Sequence, residues 1–185
     1  MEKINYAISS YSLIMLLVIA LPFVITGCFG ENKIVCANKD DNITVVKKYF
    51  RAIDNRDTNA MNDLFAIDAI QDFVGNDPII GVKAIVTKLE LVLSQLTSIK
   101  TEFVNFIANG DTVFAHVKHV AVFKAGGAFL NRTGINPPLM VLKEPVKVSW
   151  QVMATFQLKD GRIVEEIIVR DELAILQQIG TLTLK

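Results

Sequence analysis

The chain has no excess of charge of either sign: its 185 residues hold 19 Lys and Arg against 19 Asp and Glu. A neutral protein has no long-range field to draw in a polyanion, and no block of Lys or Arg is present to track a phosphate backbone, which argues against nucleic acid as a partner. Cysteine is scarce. Cys28 and Cys36 are the only two; they could pair with each other if the Cys28 thiol is free, but one pair eight residues apart is weak evidence for a disulfide framework. Histidine is equally scarce, and on a strand His116 and His119 would face opposite sides, so no metal site is expected. No cofactor is expected, and no internal repeat is visible.

Apolar side chains are abundant, at 51%, and unevenly spread. Residues 11–27 (YSLIMLLVIALPFVITG) carry no charge, while Lys3 and the amino terminus precede them, the layout of an export signal. About 17 apolar residues also reach the lower limit for a membrane-spanning helix, so length alone leaves an uncleaved anchor open. The segment's end is more specific. Ile25-Thr26-Gly27-Cys28 resembles the bacterial lipobox, in which small residues let a peptidase bind the extended chain before a cysteine that receives a diacylglyceryl group. The resemblance implies cleavage after Gly27, lipidation of Cys28, and an exported protein held at a membrane of the bacterial cell envelope. The alternative is a plain signal peptide or single-pass anchor in which Cys28 is a buried small hydrophobe.

Residues 28–42 are polar and without a periodic apolar face, which reads as a tether. The chain thus divides into a signal segment (1–27), a tether (28–42) and one domain (43–185). Asn42 or Thr44 can cap a first helix whose apolar positions Val45, Val46, Tyr49, Phe50 and Ile53 recur on one face. A short helix over 59–65, a strand over 69–74 and a turn at Gly75-Asn76-Asp77-Pro78 follow. The spacing of Ile85, Leu89, Val92, Leu93 and Leu96 predicts the longest helix, over 82–96. The period then changes to two: strands are expected at 101–108, 112–123, 146–158 and 162–169, with hairpin turns at Asn109-Gly110-Asp111 and Lys159-Asp160-Gly161. A last helix runs from the cap Asp171 to Ile179. Residues 124–145 are long for a hairpin connection and carry Phe129, Leu130, Leu139 and Met140, so they form either a flap that packs on something or an extended hairpin tip.

This element order resembles the cone-shaped α+β fold of the NTF2-like superfamily, with a curved antiparallel sheet packed on N-terminal helices. VVKKYF at 45–50 and QDFVGNDP at 71–78 are similar to bacterial ketosteroid isomerases; DGRIVEE at 160–166 and LQQIG at 176–180 are similar to SnoaL-like proteins. In the isomerase pattern a tyrosine on the first helix donates to the dienolate oxygen and an aspartate on the first strand moves the proton. The resemblance places those roles on Tyr49 and Asp72. The family's second oxyanion donor falls at Ala154. The epoxide-hydrolase set falls at Gln71, Phe73, Val117, His119 and Ile168, and the Trp-Asp pair of SnoaL-like tails at Ile167 and Ile168.

Strand alternation then lists what would face the cone interior. With Val117 inward, so are Val113, Ala115, His119 and Ala121; Trp150, Val152, Ala154 and Phe156 share one face of the next strand, and Val164, Glu166, Ile168 and Arg170 one face of the last. The expected site is an apolar pocket walled by Phe73, Val117, Trp150, Val152, Ala154, Phe156, Glu166 and Ile168, with Asp72, Tyr49 and His119 as its chemical groups. Its ligand would be a small hydrophobic molecule. Each polar group also has a structural reading: Tyr49 as core aromatic, Asp72 as a turn-facing carboxylate, His119 as a satisfied buried imidazole, and Glu166 with Arg170 as a pair. The outward set Ile163, Ile167 and Val169 permits a homodimer.

Overall fold

The computed structural model describes residues 39–129 and 140–180. The signal segment, Cys28, Cys36 and most of the tether lie outside the described residues, as does the middle of the 124–145 insertion. Among the described residues no helix is long and apolar enough to cross a membrane.

Helix α1 (Lys39–Asn55) begins earlier than the cap residues suggested. Asn42 is inside it and buried, donating to the carbonyl of Gly110 at 3.1 Å, so this polar side chain ties the helix to a hairpin turn instead of capping it. Arg56, with a positive φ of 58°, ends the helix and turns its guanidinium onto the carbonyls of Leu93 and Leu96, at 3.1 and 2.6 Å. It thereby ties the end of α1 to the backbone around residues 93–96. Asp57 caps the short α2 (Thr58–Leu64), accepting from the Ala60 amide at 3.1 Å.

The remaining elements are β1 (Phe65–Phe73), β2 (Ile79–Ile80), α3 (Val82–Ser94), β3 (Leu96–Asn109), β4 (Thr112–Phe123), β5 (Ala128–Phe129), β6 (Met140–Val141), β7 (Val146–Lys159), β8 (Arg162–Arg170) and α4 (Glu172–Gln178). Six strands form one open sheet in the order β2-β1-β8-β7-β4-β3. It is mixed, because β1 runs parallel to β8 while the other neighbours are antiparallel. Register irregularities in β1/β8, β3/β4 and β7/β8 bend the sheet around the helices, as bulges do. This is the NTF2-like α+β cone. The β7–β8 turn depends on Asp160 and Gly161 adopting φ values of 52° and 75°, the paired left-handed geometry that an Asp-Gly hairpin supplies.

At the base of the insertion Ala128 pairs with Val141 and Phe129 with Met140. Leu142 is buried in the core, and its amide donates to the Gly127 carbonyl at 3.0 Å. The arms are therefore a short ladder; residues 130–139, which would decide between flap and floppy tip, are not among those described.

The interior is packed with aromatic rings. Phe50 meets Tyr49, Phe103, Phe106, His119 and Phe156 with ring centroids 5.0 to 6.4 Å apart. Such edge-on and tilted contacts add to the area term that dominates core stability. The outward set differs from expectation at Ile163, which is fully buried. The register shift between Gln157 and Leu158 reverses the alternation there, and a one-residue slip moves a side chain to the other face. Ile167 and Val169 do face outward and join Ile107, Phe114 and Met153 in an exposed apolar band.

Candidate functional site: a buried Tyr-Glu-Gln cluster and an imidazole

Pairing of β1 with β8 sets Gln71 beside Glu166, and pairing of β8 with β7 sets Glu166 beside Phe156. Tyr49 on α1 lies over them. Its hydroxyl donates to Glu166 Oε2 at 3.2 Å, and Gln71 Nε2 donates to the same oxygen at 2.7 Å. All three side chains are buried, with Glu166 only 1% exposed. Phe65, Phe156 and Phe50 surround the tyrosine ring at 5.0 to 5.5 Å.

An ionised carboxylate in such surroundings is poorly solvated, so burial pushes Glu166 up to about 7, against the opposing pull of the hydrogen bonds from Gln71 and Tyr49. Burial, and then the neighbouring Glu166, raise the Tyr49 hydroxyl well above its ordinary value. The tyrosine therefore remains a donor at any working pH, while the glutamate exchanges its proton near neutrality. That is the division of roles that proton abstraction next to a carbonyl requires.

Asp72, the expected base, is one residue away from this cluster and on the other face. It stands opposite Ile167, which is 37% exposed, whereas Gln71 stands opposite the buried Glu166. The acidic partner of Tyr49 is thus Glu166, which the sequence reading had placed among the pocket walls. Glu166 does not pair with Arg170 either; Arg170 pairs with Glu172 and lies 5.6 Å from the centroid of the Phe73 ring.

His119 reaches the interior as alternation required, between Phe50 at 6.0 Å and Trp150 at 5.3 Å. Its Nδ1 lies 3.1 Å from Thr101 Oγ1, which donates to Asp54 at 2.6 Å. Burial lowers the imidazole to about 4, outweighing the attraction of Asp54, while Arg170 lowers it further. The imidazole is neutral at pH 7. Phe50 touches both His119 and Phe156, so it stands between the histidine and the Tyr49 cluster. His116 faces the other way and meets Gln151 at 2.9 Å.

The expected wall residues Val117, Trp150, Val152, Ala154, Phe156 and Ile168 are all buried in the same core, and Phe73 is half-buried at its edge. The described clefts lie elsewhere. One, of about 800 Å³, is on the outer face of β3, β4 and β7; the other, of about 630 Å³, runs along α1 and α2. Sequence reasoning missed Gln71, Thr101 and Asp54, since each acquires its partner from an element distant in the chain.

A family model described as a SnoaL-like domain matches residues 46–166. Among solved structures, an epoxide hydrolase of the LEH-like type from M. tuberculosis is similar at 16% identity and a TM-score of 0.59, over 76% of this chain and 90% of that one. A protein assigned as a SnoaL-like polyketide cyclase from Jannaschia sp. CCS1 matches at 16% identity and a TM-score of 0.63, over 78% and 95%. An NTF2-like protein from Burkholderia xenovorans LB400 matches at 14% and 0.55, over 77% and 98%. At these identities the likeness is one of fold. No curated protein sequence matches the chain.

Proposed function

The chain belongs to the SnoaL-like domain family, and we propose that it is an envelope lipoprotein whose cone interior moves protons on a small hydrophobic carbonyl compound. The observation that carries this reading is the buried Glu166 carboxyl, held by Tyr49 and Gln71 and pushed up to about 7 by its burial. In the proposed step the Glu166 carboxylate takes a proton from the carbon next to the carbonyl. The electron pair of that bond moves to the carbonyl oxygen, and the Tyr49 hydroxyl leaves Glu166, now a neutral acid, to donate its hydrogen bond to the enolate oxygen. Return of the proton to a different carbon completes an isomerisation with no net change in oxidation state.

Deuterium exchange at the α positions of a cyclic enone, followed by mass spectrometry, tests the proposal. The full-length chain should catalyse it, Glu166→Gln should be slower by about 10² to 10⁴, and Tyr49→Phe by about 10² to 10³. Lack of exchange by the wild type contradicts the enzyme and selects a second reading, a non-catalytic module that meets an apolar partner. The exposed band of Ile107, Phe114, Met153, Ile167 and Val169 favours that second reading.

The membrane address rests on the lipobox. Acyl chains on Cys28 would supply about 0.8 kcal/mol per buried methylene and hold the domain where hydrophobic compounds concentrate. Mass spectrometry of the native amino terminus should find a diacylglyceryl-modified Cys28; an intact Met1 or an unmodified Cys28 rejects the anchor.

A further inference from the structure

The polar chain behind His119 has a direction that can be worked out from its outer end. Arg51, on the exposed side of α1, donates to Asp54 Oδ2 at 3.0 Å and to the Thr101 carbonyl at 3.4 Å. Its guanidinium lies 4.3 Å from the centroid of the Phe103 ring, a cation-π contact that fixes it in place. A guanidinium is always charged and a donor only, so Asp54 beside it is a carboxylate and an acceptor only. Thr101 has one hydroxyl proton, and it goes to Asp54 at 2.6 Å. What remains on Thr101 Oγ1 toward His119 is lone pairs. The contact of 3.1 Å is then a hydrogen bond only if His119 Nδ1 carries the proton.

We propose that Thr101 and Asp54 are positioning residues that hold His119 as its Nδ1–H tautomer, leaving Nε2 as an unprotonated, basic lone pair. The reverse order would need Asp54 to donate to Thr101 and Thr101 to the ring, whereas both Asp54 oxygens accept, Oδ1 from Thr101 and Oδ2 from Arg51. Thr101 is 2% exposed and His119 7%, so water is poorly placed to substitute for either partner. Burial keeps the ring neutral at pH 7, where it has one nitrogen of each kind. The domain therefore holds two unlike groups on either side of Phe50: the Glu166 carboxyl, which burial pushes up to about 7, and a proton-accepting nitrogen on His119. Its use in the reaction rests on the proton-transfer reading above, where a ligand O–H donor would meet Nε2. The tautomer itself does not.

The test is the ¹⁵N spectrum of the imidazole in the full-length chain at pH 7, read through couplings to the ring carbon-bound protons, in wild type, Thr101→Ser and Thr101→Val. Wild type and Thr101→Ser should show a protonated Nδ1 and an unprotonated Nε2. Thr101→Val, which keeps the side-chain shape and loses the acceptor, should shift the population toward the Nε2–H form that neutral imidazole ordinarily prefers. A wild-type spectrum dominated by Nε2–H, a Thr101→Ser spectrum unlike wild type, or a Thr101→Val spectrum identical to it overturns the proposal. Should Thr101→Val fail to fold, wild type and Thr101→Ser still decide it. Loss of enone exchange together with an intact Nδ1–H signature would reject the enzyme and leave the relay standing.

Discussion

Replacing Glu166 by Gln will make the stability of the full-length chain rise more steeply with pH between about 4 and 6.5 than in wild type, whereas replacing His119 by Gln will make it fall between about 4.5 and 7. The signs follow from which state holds the proton. Folded Glu166 keeps its proton up to about pH 7, while the unfolded side chain has lost it above 4.5. Its stabilising contribution is complete below 4.5 and lost as pH rises through 7. His119 is the mirror case: the unfolded ring takes a proton below 6.5 and the folded ring only near 4. Its contribution is complete above 6.5 and lost as pH falls toward 4. Each displacement is worth about 3 kcal/mol at its limit. In wild type the two slopes oppose each other over most of the interval, so each variant unmasks the group it retains. Urea unfolding at half-unit pH steps, taken as the difference from wild type, reads this directly; parallel curves for wild type and both variants would contradict it.

Phe50→Ala should cost about 3–5 kcal/mol, a large fraction of what a domain of this size has to lose. Phe50 is 2% exposed and touches five other rings, so collapse around the missing ring would have to move both α1 and the sheet. A second effect separates this prediction from ordinary core damage. Phe50 fills the space between Phe156, which walls the Glu166 cluster, and His119. Water admitted there would relieve the desolvation that displaces both groups, so Glu166 should titrate lower and His119 higher in the variant. Phe114→Ala is the control, since Phe114 is 58% exposed on the outer sheet face and its loss should stay within about 0.5 kcal/mol. Equal losses from the two variants would contradict the assignment of Phe50 to the load-sharing centre of the core.

Much of the cone could be read from the chain because its signals are local. The stripe from Ile85 to Leu93 marks α3, the Asp-Gly turn at 160–161 sets the last hairpin, and the strict alternation of β4 carries His119 inward as expected. The parts that could not be read are those decided across the sheet. Nothing near Gln71 says that β1 runs parallel to β8, and that pairing is what sets the inward Gln71 beside Glu166 and Asp72 beside Ile167. A register shift between β7 and β8 buries Ile163. A resemblance aligned by residue type favours the aspartate; the register selects its neighbour. Thr101 and Asp54 are likewise ordinary residues until α1 crosses β3.

The most direct measurement is a titration of the Glu166 carboxyl carbon by ¹³C NMR in the full-length chain, with Glu166→Gln identifying the signal. A midpoint near 7 is predicted. A midpoint near 4.5, the ordinary value for a glutamate in water, would show that the carboxyl is solvated and would remove the basis for proton transfer at this site.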